Sequence, residues 1–137
     1  MSKIKFEVEV YTYQIDFVGH VSNIVYIQWM EIGRLKLLEA LGLPVSELAK
    51  TNIAPVLVET NIKYKKSVYV DEKVEIEVWF SDLMNASAIM EFRFYNSEGK
   101  LVAAGQQKGL FINRETMKVH RMTPEERKAF EKFLEKN

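Results

Sequence analysis

The chain of 137 residues contains no cysteine, and its 19 Lys and Arg residues balance 19 Asp and Glu residues. Without cysteine it cannot form disulfides, a thiolate nucleophile or a zinc–thiolate site, which is typical of proteins in the reducing cytoplasm. Zero net charge provides no broad positive surface for nucleic acid or an anionic membrane. No apolar run is long enough for a membrane span, and the alternating start is unlike a signal peptide. We therefore expect a soluble cytoplasmic protein that does not bind nucleic acid.

Several common catalytic and cofactor-binding motifs are also missing. The only histidines are His20 and His120, so a structural zinc site is not expected in a chain without cysteine. There is no G-x-S-x-G turn of the serine hydrolases, no G-x-G-x-x-G and no P-loop sequence. We therefore expect neither a metal nor a nucleotide or redox cofactor.

Alternating apolar and polar residues predict strands, and one long apolar segment predicts a helix. The strands are predicted at residues 4–10, 56–65, 73–80, 90–95 and 101–113, with a hairpin turn at 97–100. Residues 23–41 are apolar on almost every side, which is typical of a buried helix. A second helix should start at Thr123-Pro124 and run through Leu134.

This order predicts an α+β fold in which an antiparallel sheet wraps around one long central helix, as a single domain of residues 1–137. A five-stranded sheet of this kind has open edges. Pairing of an edge with a second copy of the chain is a plausible route to a dimer.

The segment between Tyr13 and Arg34 suggests a functional site. Asp16, Gly19 and His20 follow a strand and directly precede the helix. They could simply form a turn that is capped by Ser22. Alternatively, the free N–H groups near Asn23 could bind a developing oxyanion. Asp16 would then act as nucleophile or general base, and His20 would orient the carboxylate or contact the substrate. The residues alone leave both readings open.

Other residues of the helix are predicted to serve packing. Tyr26, Trp29 and Met30 are at helical spacing and favour a core position. Glu31 and Arg34, three residues apart on the helix, predict an ion pair.

The order of these residues resembles a known signature. Asp16-x-x-Gly19-His20-Val21-x-Asn23-x-x-Tyr26-x-x-Trp29-x-Glu31-x-x-Arg34 is similar to the motif of hotdog-fold acyl thioesterases. The most similar group is the 4-hydroxybenzoyl-CoA thioesterase-like family, close to the acyl-ACP thioesterases. Weaker similarity continues through Ile62-x-Tyr64 and residues 68–78 and 104–114. It therefore extends over nearly the whole chain.

The resemblance implies a hotdog fold that forms a homodimer or homotetramer, with active sites at the dimer interface. It implies that Asp16 is the nucleophile or base, that the helix amide near Asn23 polarises the thioester carbonyl, and that His20 is the loop histidine. The predicted substrate contacts are Tyr13, Gly19, Val21, Tyr26, Glu59, Lys65 and Lys66. Glu59 could approach the site from the partner subunit or simply face solvent from its strand, and the lysines could bind CoA phosphates or belong to a solvated strand edge.

The implied function is an acyl-CoA thioesterase that hydrolyses its substrate to a free acid and CoA without a metal or redox cofactor. Two alternatives remain at this stage. One is an acyl-ACP thioesterase, which would need basic residues beside the site. The other is a non-enzymatic hotdog module that binds acyl groups.

Overall fold

The computed structural model describes residues 3–136, which form one antiparallel sheet and three α-helices. The strands are β1 Ile4–Glu9, β2 Ile53–Tyr64, β3 Lys73–Leu83, β4 Ser87–Tyr95, β5 Leu101–Asn113 and β6 Val119–His120. The helices are α1 Asn23–Ala40, α2 Val45–Leu48 and α3 Pro124–Glu131, and a short 3-10 turn covers Thr12–Gln14. The predicted domain of residues 1–137 also includes residues 1, 2 and 137, which lie outside the described residues.

The sheet has the order β1-β3-β4-β5-β2, and β6 pairs with the C-terminal end of β5, beyond the part that pairs with β4. All paired strands are antiparallel, so the predicted antiparallel sheet is confirmed. β2 is an edge strand that pairs with β5 along its length and has a bulge between Leu57 and Glu59. The sequence did not predict β6, because two residues are too short to show an alternating pattern.

α1 packs against one face of the sheet, and two glycines allow a close approach. A Cβ atom added at Gly33 would lie 3.1 Å from Phe92 Cε2, and one at Gly105 would lie 2.8 Å from Met30 Cε. Phe92 and Phe94 on β4 are fully buried beneath the helix. The core therefore lies between α1 and the sheet, as the pattern of apolar residues predicts.

One face of α1 remains exposed, so the predicted burial on all sides is wrong for the single chain. Ile24 is 67% exposed and Ile27 is 45% exposed, and Ile32 and Leu35 are also exposed. These side chains project from the part of the helix that the sheet does not cover. We call Ile24, Ile27, Ile32 and Leu35 the exposed stripe of α1.

The C-terminal segment departs from the prediction at its end. Thr123 caps α3 and forms the reciprocal capping box with Glu126, so the predicted start is confirmed. The helix ends at Glu131 instead of Leu134. Beyond it the backbone bonds to β3, because Phe80 N–H donates to Phe133 O at 2.8 Å and Glu135 N–H donates to Phe80 O at 2.8 Å. Within residues 3–136, no helix is long and apolar enough to cross a membrane.

Candidate functional site

A short closed loop carries Asp16 immediately before α1. Ile15 and Val21 pair at the base of the loop. Asp16 N–H donates to His20 O at 2.7 Å, and Gly19 N–H donates to Asp16 O at 2.9 Å. Gly19 has a φ of +89°, a conformation that L-residues avoid and glycine adopts readily. The backbone therefore holds Asp16 in a defined position at the entrance to the helix.

The two carboxylate oxygens of Asp16 have different surroundings. Oδ1 accepts hydrogen bonds from Val18 N–H at 3.0 Å and from His20 N–H at 3.1 Å. Among the described residues, Oδ2 has no hydrogen-bond partner, and the side chain is exposed. One oxygen thus stabilises the loop, and the other is available to a water molecule or a substrate. That is the arrangement a general base or a nucleophile requires.

The imidazole of His20 contacts a different segment. Its Nδ1 lies 3.2 Å from Ser67 Oγ, and its ring packs edge-on against Tyr69 with centroids 5.1 Å apart. Val21 N–H donates to Val68 O at 2.8 Å. The backbone of His20, and not its ring, bonds to Asp16. Sequence analysis missed Ser67, since it is separated from His20 by 47 residues and belongs to no recognisable local motif.

The first turn of α1 has donors that the N-cap side chain does not satisfy. Ser22 occupies the predicted N-cap position, but its hydroxyl makes no capping hydrogen bond. The N–H groups at a helix start have no partners within the helix and attract negative charge. Tyr64 Oη donates to Asn23 O at 3.1 Å, which ties this first turn to the end of β2. Sequence analysis did not assign Tyr64 this role.

Tyr26 belongs to an aromatic cluster below this turn. Its ring packs edge-on against Tyr64, Trp29 and Phe94, with centroids 5.2, 5.3 and 5.4 Å apart. The side chain is 3% exposed, and burial raises the pKa of Tyr26 to about 12. Tyr26 therefore stays neutral across the physiological range and supports the start of α1 from inside.

Exposed apolar side chains lie on the Asp16 loop and on the segments next to it in the fold. Phe17 at the tip of the loop is fully exposed, and Val18, Ile24 and Tyr69 are also largely exposed. Such a concentration of solvent-facing apolar groups is typical of a surface that binds a ligand or another chain. Two of these residues follow Asp16 directly in the loop, Ile24 lies in the first turn of α1, and Tyr69 packs against His20.

The remaining predicted residues take several positions. Tyr13 is 82% exposed and stacks on Tyr11, while Val21 is buried. Lys65 and Lys66 are exposed and precede Ser67, so they lie beside the segment that holds His20. Their substrate-binding roles stay predictions.

Glu59 is separated from Asp16 within one chain. It pairs with Lys108 on β5. Gly105 on β5 faces α1. Lys108 lies three residues further along β5, and residues three apart on a strand point to opposite faces. Lys108 and its partner Glu59 therefore lie on the face of the sheet away from α1. The structure thus brings Asp16, His20 and the first turn of α1 together, but leaves Glu59 apart. Within residues 3–136, no three His, Asp or Glu side chains form a group that could hold a metal ion.

Comparison with known proteins identifies relatives over most of the chain. The family model of the Thioesterase-like superfamily matches residues 10–130. YneP of Bacillus subtilis (strain 168), provisionally named an acyl-CoA thioesterase, is 29% identical over 114 residues, which are 83% of each chain. The DHNA-CoA thioesterase of Staphylococcus aureus is 25% identical with a TM-score of 0.87, covering 96% of this chain and 91% of that one.

A second protein of Staphylococcus aureus, solved in complex with CoA, has the same fold. Its TM-score is 0.88 at 13% identity, over 100% of this chain and 90% of that chain. The family match covers far more than half of the sequence. This chain therefore belongs to the thioesterase-like superfamily, and the predicted hotdog-fold thioesterase, a thioester hydrolase, is confirmed.

Proposed function

We propose that this protein is an acyl-CoA thioesterase that hydrolyses its substrate to a free acid and CoA. The observation that carries the proposal is the free Oδ2 of Asp16 on a loop that is closed directly before the uncapped start of α1. The name of YneP and the CoA bound to a structural neighbour support the same substrate class.

In the general-base route, Asp16 removes a proton from a water molecule, whose oxygen attacks the thioester carbonyl. The carbonyl oxygen becomes an oxyanion, which the N–H groups near Asn23 stabilise. Collapse of the tetrahedral intermediate breaks the C–S bond. The thiolate of CoA leaves and takes up a proton, and the free acid remains. Asp16 ends in the protonated state and releases its proton to solvent.

In the nucleophile route, Asp16 itself attacks the carbonyl and forms a mixed anhydride as the CoA thiolate leaves. Water then hydrolyses the anhydride and restores the carboxylate. A single turnover in H2(18)O distinguishes the two routes when water attacks the Asp16 carbonyl of the anhydride, because the label then enters Asp16. Label in the free acid alone is the result of the general-base route and also of the anhydride route when water attacks the acyl carbonyl, so only label in Asp16 decides the question.

The other predicted residues complete the proposed site. His20, positioned by Ser67, faces the substrate, and Gly19 gives the loop its shape. Lys65 and Lys66 bind the phosphates of CoA, while Tyr13, Val21 and Tyr26 contact or support the bound acyl thioester.

We further propose that α1 is the long central helix of a hotdog fold and that the working unit is a homodimer or a homotetramer. The exposed stripe of α1 and Val58 of the edge strand β2, which is 53% exposed, leave apolar side chains uncovered in the single chain. A second copy that pairs along β2 would cover both. Glu59 would then lie at the contact between the copies, on the face of the sheet away from α1.

The test is thiol release from a panel of acyl-CoAs, from short to long aliphatic chains plus aromatic acyl groups. Asp16→Asn is compared with wild type and with the matched control Asp82→Asn, an exposed aspartate on β3. We expect kcat of Asp16→Asn to fall at least about a hundredfold, the usual effect of losing a general base. Asp82→Asn should retain full activity. Equal activity in all three proteins would contradict the assignment of Asp16.

An acyl-ACP thioesterase is the second candidate, and the exposed Lys65 and Lys66 beside the His20 loop favour it. Such lysines could dock an acidic carrier protein. The double variant Lys65→Glu/Lys66→Glu would then reduce kcat/KM for acyl-ACP more than for the same acyl group on CoA. Binding of acyl-CoA or acyl-ACP without any turnover would instead indicate a non-enzymatic acyl-binding module.

A further inference from the structure

An apolar cavity lies beside the C-terminal half of α1, at the opposite end of the helix from Asp16. Its volume is about 50 Å3, and its walls come from α1, β2, β3, β4, β5 and α3. Representative wall residues are Leu37, Leu57, Ala88, Met90 and Phe111. This space holds a few atoms at the end of a ligand, and not a whole ligand.

Among residues 3–136, Arg34 is the single charged residue in the wall of this cavity. One of its terminal nitrogens pairs with Glu31, as the sequence predicts. Its Nε is buried and has no hydrogen-bond partner among the described residues. An unpaired buried donor is unfavourable, so an oxygen atom of a ligand placed there would be stabilised.

We propose that this cavity receives the far end of the acyl group and that Arg34 Nε–H selects an acyl group with a neutral oxygen acceptor at that end. A hydroxyl or keto oxygen fits the site. A carboxylate fits less well, because Glu31 already neutralises the guanidinium and a further buried negative charge would lack a partner. The inference rests on the proposed thioesterase function, since it assumes that an acyl group is the ligand.

The position of the cavity decides which part of the substrate it meets. Arg34 lies three helical turns beyond Asn23, roughly 16 Å along the axis, so atoms next to the thioester cannot reach it. α1 runs antiparallel to β2, because Tyr64 contacts Asn23 at one end while Pro55 lines the cavity at the other. Antiparallel pairing of two β2 strands would therefore bring the cavity of the partner copy nearer to Asn23.

The experiment compares length-matched acyl-CoAs that end in a methyl, an ω-hydroxyl or an ω-carboxyl group, at several chain lengths. For acyl chains long enough to reach the cavity, we expect the wild-type kcat/KM to be about tenfold higher for the ω-hydroxyl ester than for the methyl ester. A hydrogen bond to a charged group is strong enough to produce a difference of this size. Arg34→Met should lose this preference while still hydrolysing short esters. The control Arg121→Met changes an exposed arginine and should keep the preference.

Direct binding separates this inference from the proposed reaction. Calorimetry measures the affinity of the free ω-hydroxy acid and of the matched fatty acid for wild type and each variant, without any turnover. Ala88→Leu fills the cavity and should weaken the binding of both acids. It serves as the second variant if Arg34→Met does not fold. Equal affinity and equal kcat/KM for hydroxyl and methyl ends in wild type would overturn the inference, and so would a preference for the carboxyl end. If no ester is hydrolysed at all, the calorimetric preference still decides the role of Arg34.

Discussion

Three glycines provide a test of whether the shape of the Asp16 loop matters for the reaction. Gly19, Gly42 and Gly99 have φ angles of +89°, +80° and +76°, and a Cβ atom added to any of them would meet no atom within 4 Å. Alanine at each position therefore introduces backbone strain without a steric clash. That strain is worth about 1–2 kcal/mol per residue. At roughly 4 °C per kcal/mol for a domain of this size, each variant should lower Tm by roughly 4–8 °C.

The three variants should differ in activity. Gly42 follows α1 and Gly99 lies in the hairpin between β4 and β5, and neither belongs to the loop that carries Asp16. Strain at Gly19 can relax by distorting the loop, and 1–2 kcal/mol shifts such an equilibrium by about five- to thirtyfold. We expect kcat/KM for thiol release to fall by about that factor in Gly19→Ala and to stay unchanged in Gly42→Ala and Gly99→Ala.

Calorimetric Tm values and thiol-release kinetics on the same samples separate the two effects. Gly19→Asn should recover part of the activity, because asparagine adopts positive φ more readily than alanine. If Tm decreases by a similar amount in all three alanine variants and none of them loses activity, the conformation of the loop is not important for the reaction.

Ser67→Ala removes the hydrogen-bond partner of His20 Nδ1, so we expect kcat/KM to fall about threefold to tenfold with little change in Tm; an unchanged rate would remove Ser67 from the site. The raised pKa of Tyr26, about 12, means that the unfolded tyrosine ionises near pH 10 while the folded one stays protonated. The free energy of unfolding should therefore fall between pH 10 and 12, and denaturant titrations of Tyr26→Phe should show a smaller fall. Partial burial alone would raise the pKa of Glu126, but hydrogen bonds from the Thr123 backbone and from His120 outweigh it and hold the pKa below its ordinary value. Stabilisation by Glu126 is thus present above pH 4.5 and lost at lower pH, so Glu126→Gln and wild type should converge in stability as the solution is acidified.

Local patterns allowed much of the fold to be predicted. The alternation along β5 gave its bounds of 101–113 correctly, and the positions of Gly42 and Thr123 marked helix ends that the structure confirms. Each of these signals depends on residues within one turn or one strand. The strand order could not be predicted, because β1 and β2 follow each other in the chain but occupy opposite edges of the sheet.

The site shows the same division between local and distant contacts. The spacing of Asp16, Gly19 and His20 identified the loop, and the structure closes that loop with hydrogen bonds among these residues. The partners that come from elsewhere, Ser67 on His20 and Tyr64 on Asn23, gave no local signal. The exposed stripe of α1 was also missed, because an apolar residue looks the same in sequence whether its own sheet or another chain covers it.

The strand order has a consequence for synthesis on the ribosome. Within the described part of the chain, β1 pairs only with β3 and β2 only with β5, so the first two strands emerge long before their partners. α1 is made between them, and its apolar residues have no sheet to pack against until β3 and β4 follow. Nascent chains exposing such surface are prone to aggregate. A chain truncated before β5 should therefore remain unfolded and bind chaperones, with folding completed only after the last long strand has left the exit tunnel.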